Sequence, residues 1–266
     1  MAKQQDFEMK DRNRIPALGL GTWRLFGEHC KNAIKKALDL GYRHIDTAEM
    51  YGNQSEIGKA LTGYDRSQIF LTSKVWRSNL HYVDVIKACN KTLKELKTDY
   101  LDLYLIHWPN RAIPLQETLR AFNKLMRDEK VRSFGVSNFT INHLKTAFKI
   151  STNLLTVNQV EFHPYLYQKE LLDFCSKHGL VLTAYSPLGK GNLVRDTTIK
   201  EISVKYKRTP AQICLRWGLQ KKVVVIPKSG SEEHLEENLE IFDWEISEND
   251  IKRIDSLHQN KKYVQF

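Results

Sequence analysis

The alternation of short apolar, β-rich runs with helical patterns restricts the possible folds of this chain more than any other feature. Apolar residues between these runs recur at helical spacing, as at Ala33, Ile34, Ala37 and Leu38. Because a helix between two strands returns the chain to the start of the next strand, the strands are predicted to be parallel. Eight β-rich runs occur along the 266 residues, at 17–21, 43–47, 69–73, 101–106, 133–136, 156–160, 180–184 and 223–226.

A closed barrel accounts for eight strand and helix units better than an open sheet does. A (β/α)8 barrel typically takes about 250 residues, and strands buried on both faces read as apolar runs. An open dinucleotide-binding sheet would carry an early G-x-G-x-x-G turn, whereas the glycine cluster at 19–21 is followed by Thr22 and lacks a third glycine. The sequence therefore predicts an α/β fold, a (β/α)8 TIM barrel with a short N-terminal β-hairpin around 7–15, as a single domain over 1–266.

Composition narrows the classes of partner. The formal net charge of +10 is compatible with nucleic acid, an anionic membrane surface or a phosphate-bearing ligand. The 41 Lys and Arg residues are scattered without a run of five, so no nucleic-acid partner is expected. The four cysteines form no C-x-x-C pair, which favours reduced core thiols. Few apolar runs are expected at the surface, which favours a monomer.

The N-terminal residues MAKQQDFEMKD lack the apolar segment of a secretory signal. No stretch of the chain approaches the roughly 20 apolar residues that a membrane-crossing helix requires. We therefore expect a cytoplasmic protein without a membrane partner.

Polar side chains follow the predicted strands at the ends where barrel enzymes carry their chemistry. Each is compatible with a structural role alone, such as a helix cap for Asp46 or a core imidazole for His107. Their joint position at one rim of the barrel indicates a site. In chain order, these residues are Asp46, Tyr51, Lys74, His107, Ser137, Asn138, Gln159, Glu161, Tyr185, Ser186, Lys228 and Ser229.

Over about residues 7–258, the sequence resembles the aldo-keto reductase superfamily. It is similar to the short, prokaryotic-type members. The segments that carry the resemblance are LGLGTW, HIDTAEMYGNQSEIGKAL, LTSKVW, DLYLIHWP, FGVSNF, NQVEFHPY, AYSPLGKG, TPAQICLRWGLQ and VIPKS. The resemblance implies a catalytic tetrad of Asp46, Tyr51, Lys74 and His107. It also implies an NADP-dependent oxidoreductase, an aldehyde reductase that transfers hydride from a nicotinamide cofactor to a carbonyl carbon.

The chemistry of carbonyl reduction explains why these residue types occur together. A phenol is a weak acid with an ordinary pKa of about 10. An ammonium about 4 Å away contributes roughly 4 kcal/mol at an effective dielectric of about 20. We therefore expect Lys74 to lower the pKa of Tyr51, the general acid, and Asp46 to keep Lys74 ionised. His107 is expected to donate a hydrogen bond that orients the carbonyl oxygen.

The resemblance also implies the cofactor contacts. His234 stands where the family usually has Arg, and an imidazole does not replace a bidentate guanidinium. Lys228 and the overall positive charge still favour NADPH as the cofactor, with NADH possible and a weaker preference for NADPH than Arg would confer. From the nicotinamide to the adenine end, the implied contacts are Thr22, Trp23, Ser137, Asn138, Gln159, Tyr185, Ser186, Leu188, Gly189, Lys228, Ser229, Gly230, His234, Glu237 and Asn238.

The expected substrate pocket is aromatic and shallow. Trp23, Trp76 and Trp108 adjoin segments that carry the tetrad, and the chain reaches Leu115 soon after Trp108. Larger family members use longer loops here to select substrates. We therefore expect a range of small aldehydes and activated ketones.

Two other functions remain open at this stage. His44 and Asp46 alternate on one strand face, and His107 and His163 follow strands, a pattern compatible with a metal-dependent barrel hydrolase. A regulatory protein that binds the cofactor without catalysis is the second alternative. The family resemblance implies no metal.

Overall fold

A barrel of eight parallel strands organises the computed structural model, which describes residues 4–150 and 155–264. Each strand of the barrel pairs with the next one along the chain. Leu18, just before β3, forms a parallel bridge to Val225 in the last strand, which brings the two edges of the sheet together. The strands are β3 (Leu20–Gly21), β4 (His44–Asp46), β5 (Phe70–Val75), β6 (Leu101–Ile106), β7 (Val131–Ser137), β8 (Leu155–Glu161), β9 (Val181–Tyr185) and β10 (Val224–Ile226). The predicted (β/α)8 barrel is confirmed.

The helices lie between the strands in sequence, with buried apolar faces. Gly41 ends the first helix in the left-handed region, at φ 111°, which only glycine adopts without strain. Thr209 and Gln212 form a capping box at the start of the helix that begins at Pro210. The helices in the described residues are α1 (Gly27–Leu40), α2 (Gln54–Ala60), α3 (Tyr82–Leu96), α4 (Leu115–Arg127), α5 (Ile141–Ile150), α6 (Lys169–Lys177), α7 (Thr197–Tyr206), α8 (Pro210–Gln220), α9 (Glu232–Leu239) and α10 (Glu248–Asp255).

The predicted N-terminal hairpin consists of β1 (Asp6–Glu8) and β2 (Arg14–Pro16), which pair antiparallel. Met9 and Ile15 are buried in one apolar cluster with inward-facing strand residues such as Leu103. Asn13 donates a hydrogen bond to Ser133 Oγ at 2.9 Å, near the start of β7. The hairpin therefore closes the end of the barrel opposite the strand ends that carry the candidate site.

Two further expectations concerned the cysteines and membrane-crossing helices. Cys30, Cys89, Cys175 and Cys214 are buried and unbonded, as expected for core thiols. Within the described parts of the chain, no helix is both long and apolar enough to cross a membrane.

Candidate active site

The four predicted tetrad residues meet at the C-terminal rim of the barrel. Asp46 is the last residue of β4, Lys74 lies near the end of β5, and His107 directly follows β6. Tyr51 ends a 3-10 turn at Glu49–Tyr51, where Gly52 adopts the left-handed region and ends the turn. Adjacent parallel strands therefore carry three of the side chains, and the turn after β4 brings the phenol back over them.

Lys74 is the centre of the tetrad. Its Nζ donates to Asp46 Oδ1 at 2.6 Å, to the Thr47 carbonyl at 2.9 Å and to the Tyr51 hydroxyl at 3.2 Å. The Lys74 side chain is fully buried. Burial alone lowers the pKa of Lys74, but Asp46 and then Tyr51 outweigh it, so the pKa lies above its ordinary value. Lys74 therefore stays charged in the core.

The Tyr51 ring packs against two other rings of the site, tilted against Trp23 and edge-on to His107. Its ring centroid lies 4.9 Å from Trp23 and 5.6 Å from His107. Burial raises the pKa of Tyr51 and Lys74 opposes the rise, with a net pKa above the ordinary value. The net direction is opposite to the fall expected from the sequence, because that expectation weighed the charge of Lys74 without burial.

His107 is buried and neutral. Burial, and then the positive charge of Lys74, lower the pKa of His107 well below its ordinary value. Its Nδ1 is buried and has no hydrogen-bond partner among the described residues. A buried N–H without an acceptor is rarer than an unpaired acceptor, so the proton belongs on Nε2.

The residues predicted for the carboxamide lie on adjacent strands beside the tetrad. Ser137 pairs in register with Gln159, and Asn138 follows directly with a φ of 63°. The Tyr185 hydroxyl donates to Asn138 Oδ1 at 2.8 Å, and Asn138 Nδ2 donates to the His107 carbonyl at 3.0 Å. Amide and hydroxyl groups beside an aromatic ring match the chemistry of a nicotinamide carboxamide.

Gln159 has a further contact that the sequence did not indicate. Its amide donates to Asp46 Oδ2 at 2.7 Å, across the barrel from β8 to β4. Both oxygens of Asp46 are therefore engaged, one by Lys74 and the other by Gln159. Gln159 thus supports the ion pair as well as lying in the predicted carboxamide trio.

The predicted phosphate-side residues lie on two loops of the same rim. Ser186, Leu188 and Gly189 belong to the loop after β9, where Ser186 and Gly189 have φ angles of 49° and 54°. After β10, Lys228 is exposed and Ser229 is buried, with Ser229 Oγ accepting from the Ser231 N–H at 3.0 Å. The loop after β10 therefore places an exposed cation beside a hydroxyl that is bonded within the loop.

The remaining adenosine-side residues lie at the end of that loop and on α9. Gly230 is partly buried and His234 is exposed on the first turns of α9. Glu237 accepts a hydrogen bond from the Thr209 hydroxyl, and buried Asn238 bonds to Tyr42. The predicted adenine pair is thus already engaged within the protein.

Two of the three predicted tryptophans, Trp23 and Trp76, contact rings of the tetrad, and Trp108 follows His107 directly in the chain. Trp23 is 36% exposed, and Trp76 and Trp108 are partly buried. The Trp76 ring centroid lies 5.2 Å from His107. Thr22, beside Trp23, donates from Oγ1 to the Asp46 carbonyl at 2.9 Å. Thr22 thereby fixes the loop after β3 against the strand that carries the carboxylate.

Asn53 is a site residue that the sequence reasoning missed. Its amide donates to the carbonyls of Thr22 and Leu25 at 2.8 and 3.0 Å, and its Oδ1 accepts from Thr47 Oγ1 at 2.9 Å. Asn53 therefore ties the loop that carries Trp23 to the turn that carries Tyr51. The sequence signal that could have identified Asn53 was its position two residues after Tyr51, in the triplet YGN.

Two of the histidines that suggested a metal centre, His44 and His163, have other partners. His44 Nε2 lies 3.0 Å from Thr72 Oγ1, and burial lowers the pKa of His44 to about 4. His163 Nε2 lies 3.0 Å from Glu161 Oε1. Across residues 4–150 and 155–264, no three His, Cys, Asp or Glu side chains converge as a metal-binding group.

Comparisons with known proteins agree with this site and fold. The Aldo/keto reductase family model matches residues 17–259. Glyoxal reductase from Bacillus subtilis is 43% identical over 251 residues, which is 93% of this chain and 91% of that protein. The chain belongs to the aldo/keto reductase family and is an oxidoreductase of that family.

Solved structures show the same barrel. An aldo/keto reductase from Brucella melitensis is 42% identical with a TM-score of 0.92, covering 96% of this chain and 100% of that chain. Aldose reductase from Schistosoma japonicum is 34% identical with a TM-score of 0.93, covering 98% and 94%.

Proposed function

We propose that this protein reduces small aldehydes and activated ketones to alcohols with NADPH, and that Tyr51 is the general acid. The observation that carries the proposal is the contact of the buried Lys74 ammonium with both Asp46 and the Tyr51 hydroxyl. When bound, NADPH would supply the hydride that adds to the carbonyl carbon and would become NADP+. As the carbonyl double bond opens, the Tyr51 proton passes to the oxygen, and Tyr51 later regains a proton from solvent.

The raised pKa of Tyr51 is compatible with this role. An alkoxide is a much stronger base than a phenolate, so proton transfer from Tyr51 to the developing alkoxide is downhill. Lys74 stabilises the phenolate that remains, since a cation at hydrogen-bond distance favours the charged form. Asp46 keeps that cation charged, and Gln159 in turn holds Asp46.

His107 orients the carbonyl oxygen in the proposed reaction. Its lowered pKa keeps the imidazole neutral, with Nε2–H as a donor and no charge to compete with Lys74. Trp23, Trp76 and Trp108 cover the substrate with apolar surface. The relative named glyoxal reductase supports small dicarbonyl compounds as the first substrates to test.

Ser137, Asn138 and Gln159 are proposed to bind the carboxamide, with Tyr185 stacking on the nicotinamide ring. Asn138 Oδ1 accepts from the Tyr185 hydroxyl and has a second lone pair with which it can accept from the carboxamide N–H. The loop after β9, residues 186–191, receives the pyrophosphate. Lys228, Ser229 and His234 are proposed to face the 2′-phosphate of NADPH, with Glu237 and Asn238 toward adenine.

The test follows the near-ultraviolet absorbance of NADPH with glyoxal, methylglyoxal and benzaldehyde. We expect NADPH consumption with at least the dicarbonyl substrates, unchanged by a chelator such as EDTA. Activity abolished by EDTA would favour the metal-dependent hydrolase instead. NADPH binding without turnover of any carbonyl would favour the cofactor-binding protein without catalysis.

The cofactor preference is tested by His234→Arg. Because Arg binds phosphate through two parallel donors, we expect the kcat/KM ratio of NADPH over NADH to rise by about tenfold. Gln68→Arg is the matched control, since it adds the same charge on the exposed turn before β5, at the opposite end of the barrel. An unchanged ratio in His234→Arg would refute the role of position 234.

A further inference from the structure

Glu161 is a buried carboxylate that the proposed mechanism does not use. It ends β8, two residues after Gln159, and is only 4% exposed. Burying a carboxylate is costly unless hydrogen bonds satisfy its oxygens. The partners of Glu161 therefore indicate what it does.

Three donors converge on Glu161. Oε1 accepts from the Tyr263 N–H at 2.7 Å and lies 3.0 Å from His163 Nε2, and Oε2 accepts from the Val264 N–H at 3.0 Å. Burial raises the pKa of Glu161, but the bonds from His163 and the two backbone N–H groups outweigh it and hold the pKa below its ordinary value. Glu161 is therefore an ionised anchor for residues far away in sequence.

The anchored segment, residues 258–264, follows α10 without regular secondary structure, and we call it the strap. The N–H groups of Gln259 and Lys261 both donate to the Tyr165 carbonyl at 3.1 Å. His258 Nδ1 accepts from the Tyr167 N–H at 3.0 Å. The strap thus runs along the loop after β8 before it reaches Glu161.

The far side of the strap contacts the loop after β9. Lys190 Nζ donates to the Tyr263 carbonyl at 2.7 Å. A Cβ on Gly189 would lie 3.1 Å from Tyr263 Cε2, so the ring packs directly against the glycine backbone. Gly189 also needs its left-handed φ of 54°. The conformation of residues 186–191 is therefore interlocked with the docked strap.

We propose that Glu161 is a positioning residue for the cofactor, because it anchors the strap that holds residues 186–191 in the shape that receives the pyrophosphate. The inference rests on the proposed function, which assigns that loop to the cofactor. It connects a carboxylate at the end of β8 to a loop after β9 through a segment about 100 residues further along the chain. Glu161 itself touches neither substrate nor cofactor.

The test is a double-mutant cycle with Glu161→Gln and Tyr263→Ala, read by the NADPH Kd from tryptophan fluorescence. The amide nitrogen of Gln cannot accept, so at least one strap N–H loses its partner, whereas Tyr263→Ala removes the ring contact with Gly189. We expect each variant to raise the Kd by about tenfold, with kcat within about threefold of the unmodified protein. The NADPH Kd of the double variant is expected to be at most about twofold above the higher of the two single-variant Kd values.

Asp250→Asn is the matched control, because Asp250 is also buried and bonded, to Lys205 and Tyr206, but lies on α10 away from the loop. We expect it to lower Tm while the NADPH Kd stays within about twofold. An unchanged Kd in Glu161→Gln, or additive effects in the double variant, would overturn the strap linkage and leave the proposed function intact. Failure of the unmodified protein to bind NADPH would refute the proposed function, and the linkage with it.

Discussion

Tyr51→Phe is expected to lower kcat for aldehyde reduction by about a thousandfold, because general acid catalysis typically contributes about 10² to 10⁴ in rate. The phenylalanine ring retains the contacts with Trp23 and His107 but has no proton to transfer. NADPH binding is expected to stay within about threefold, since the lost hydroxyl faces Lys74. Steady-state and single-turnover rates with glyoxal measure the effect on the chemical step.

Tyr64→Phe is the matched control for the loss of a tyrosine hydroxyl. The Tyr64 hydroxyl donates to Asp39 Oδ1 on α1 at 2.7 Å, away from the tetrad. We expect its kcat to stay within about twofold of the unmodified protein. Reduction by Tyr51→Phe within tenfold of the unmodified rate would mean that another group supplies the proton.

The barrel was predictable because its signal is repeated eight times. Each apolar run is short and ambiguous alone, yet their alternation with helical stripes leaves few arrangements other than a closed parallel sheet. The first run, 17–21, shows the limit of this reasoning. Only Leu20–Gly21 pairs with β4 as a strand there, while Leu18 forms a parallel bridge to Val225 where the barrel closes. A closure contact between distant segments leaves no local pattern in the sequence.

The tetrad was predictable to different degrees. Asp46, Lys74 and His107 lie at neighbouring strand ends, so the topology of a parallel barrel alone brings them to one rim. Tyr51 lies five residues beyond its strand on a 3-10 turn, so the strand end indicated only its loop, and the family resemblance assigned it to the tetrad. The contact of Gln159 with Asp46 crosses the barrel and depends on strand register and side-chain direction. The spacing of residues in the sequence specifies neither the strand register nor the direction of a side chain.

The direction in which the pKa of Tyr51 shifts could not be obtained from residue types alone. A cation beside a phenol lowers its pKa, and the sequence correctly supplied the cation. Burial acts in the other direction, and its size depends on how the rings of Trp23 and His107 cover the phenol. The proposed mechanism therefore requires a proton donor to an alkoxide, and does not require a tyrosine that ionises near neutral pH.

Lys74→Met is expected to reduce both activity and stability, because Lys74 is fully buried against Asp46. Removing one partner of a buried ion pair typically costs about 3 to 5 kcal/mol of unfolding free energy. The phenolate would also lose a stabilising cation worth roughly 4 kcal/mol, which corresponds to about a thousandfold in kcat. Chemical denaturation and the glyoxal assay measure the two effects separately.

The double variant Asp46→Asn/Lys74→Met separates the structural and chemical roles of Lys74. It buries no charge at the pair, and the substituted asparagine side chain keeps an acceptor for the Gln159 amide, so we expect most of the lost stability to return. Activity should remain about a thousandfold low, since the cation beside Tyr51 is still missing. Lys91→Met, on an exposed turn of α3, controls for the loss of a surface lysine. A double variant that regains carbonyl reduction along with its stability would show that Lys74 only maintains the fold, and the electrostatic basis of the proposed mechanism would fail.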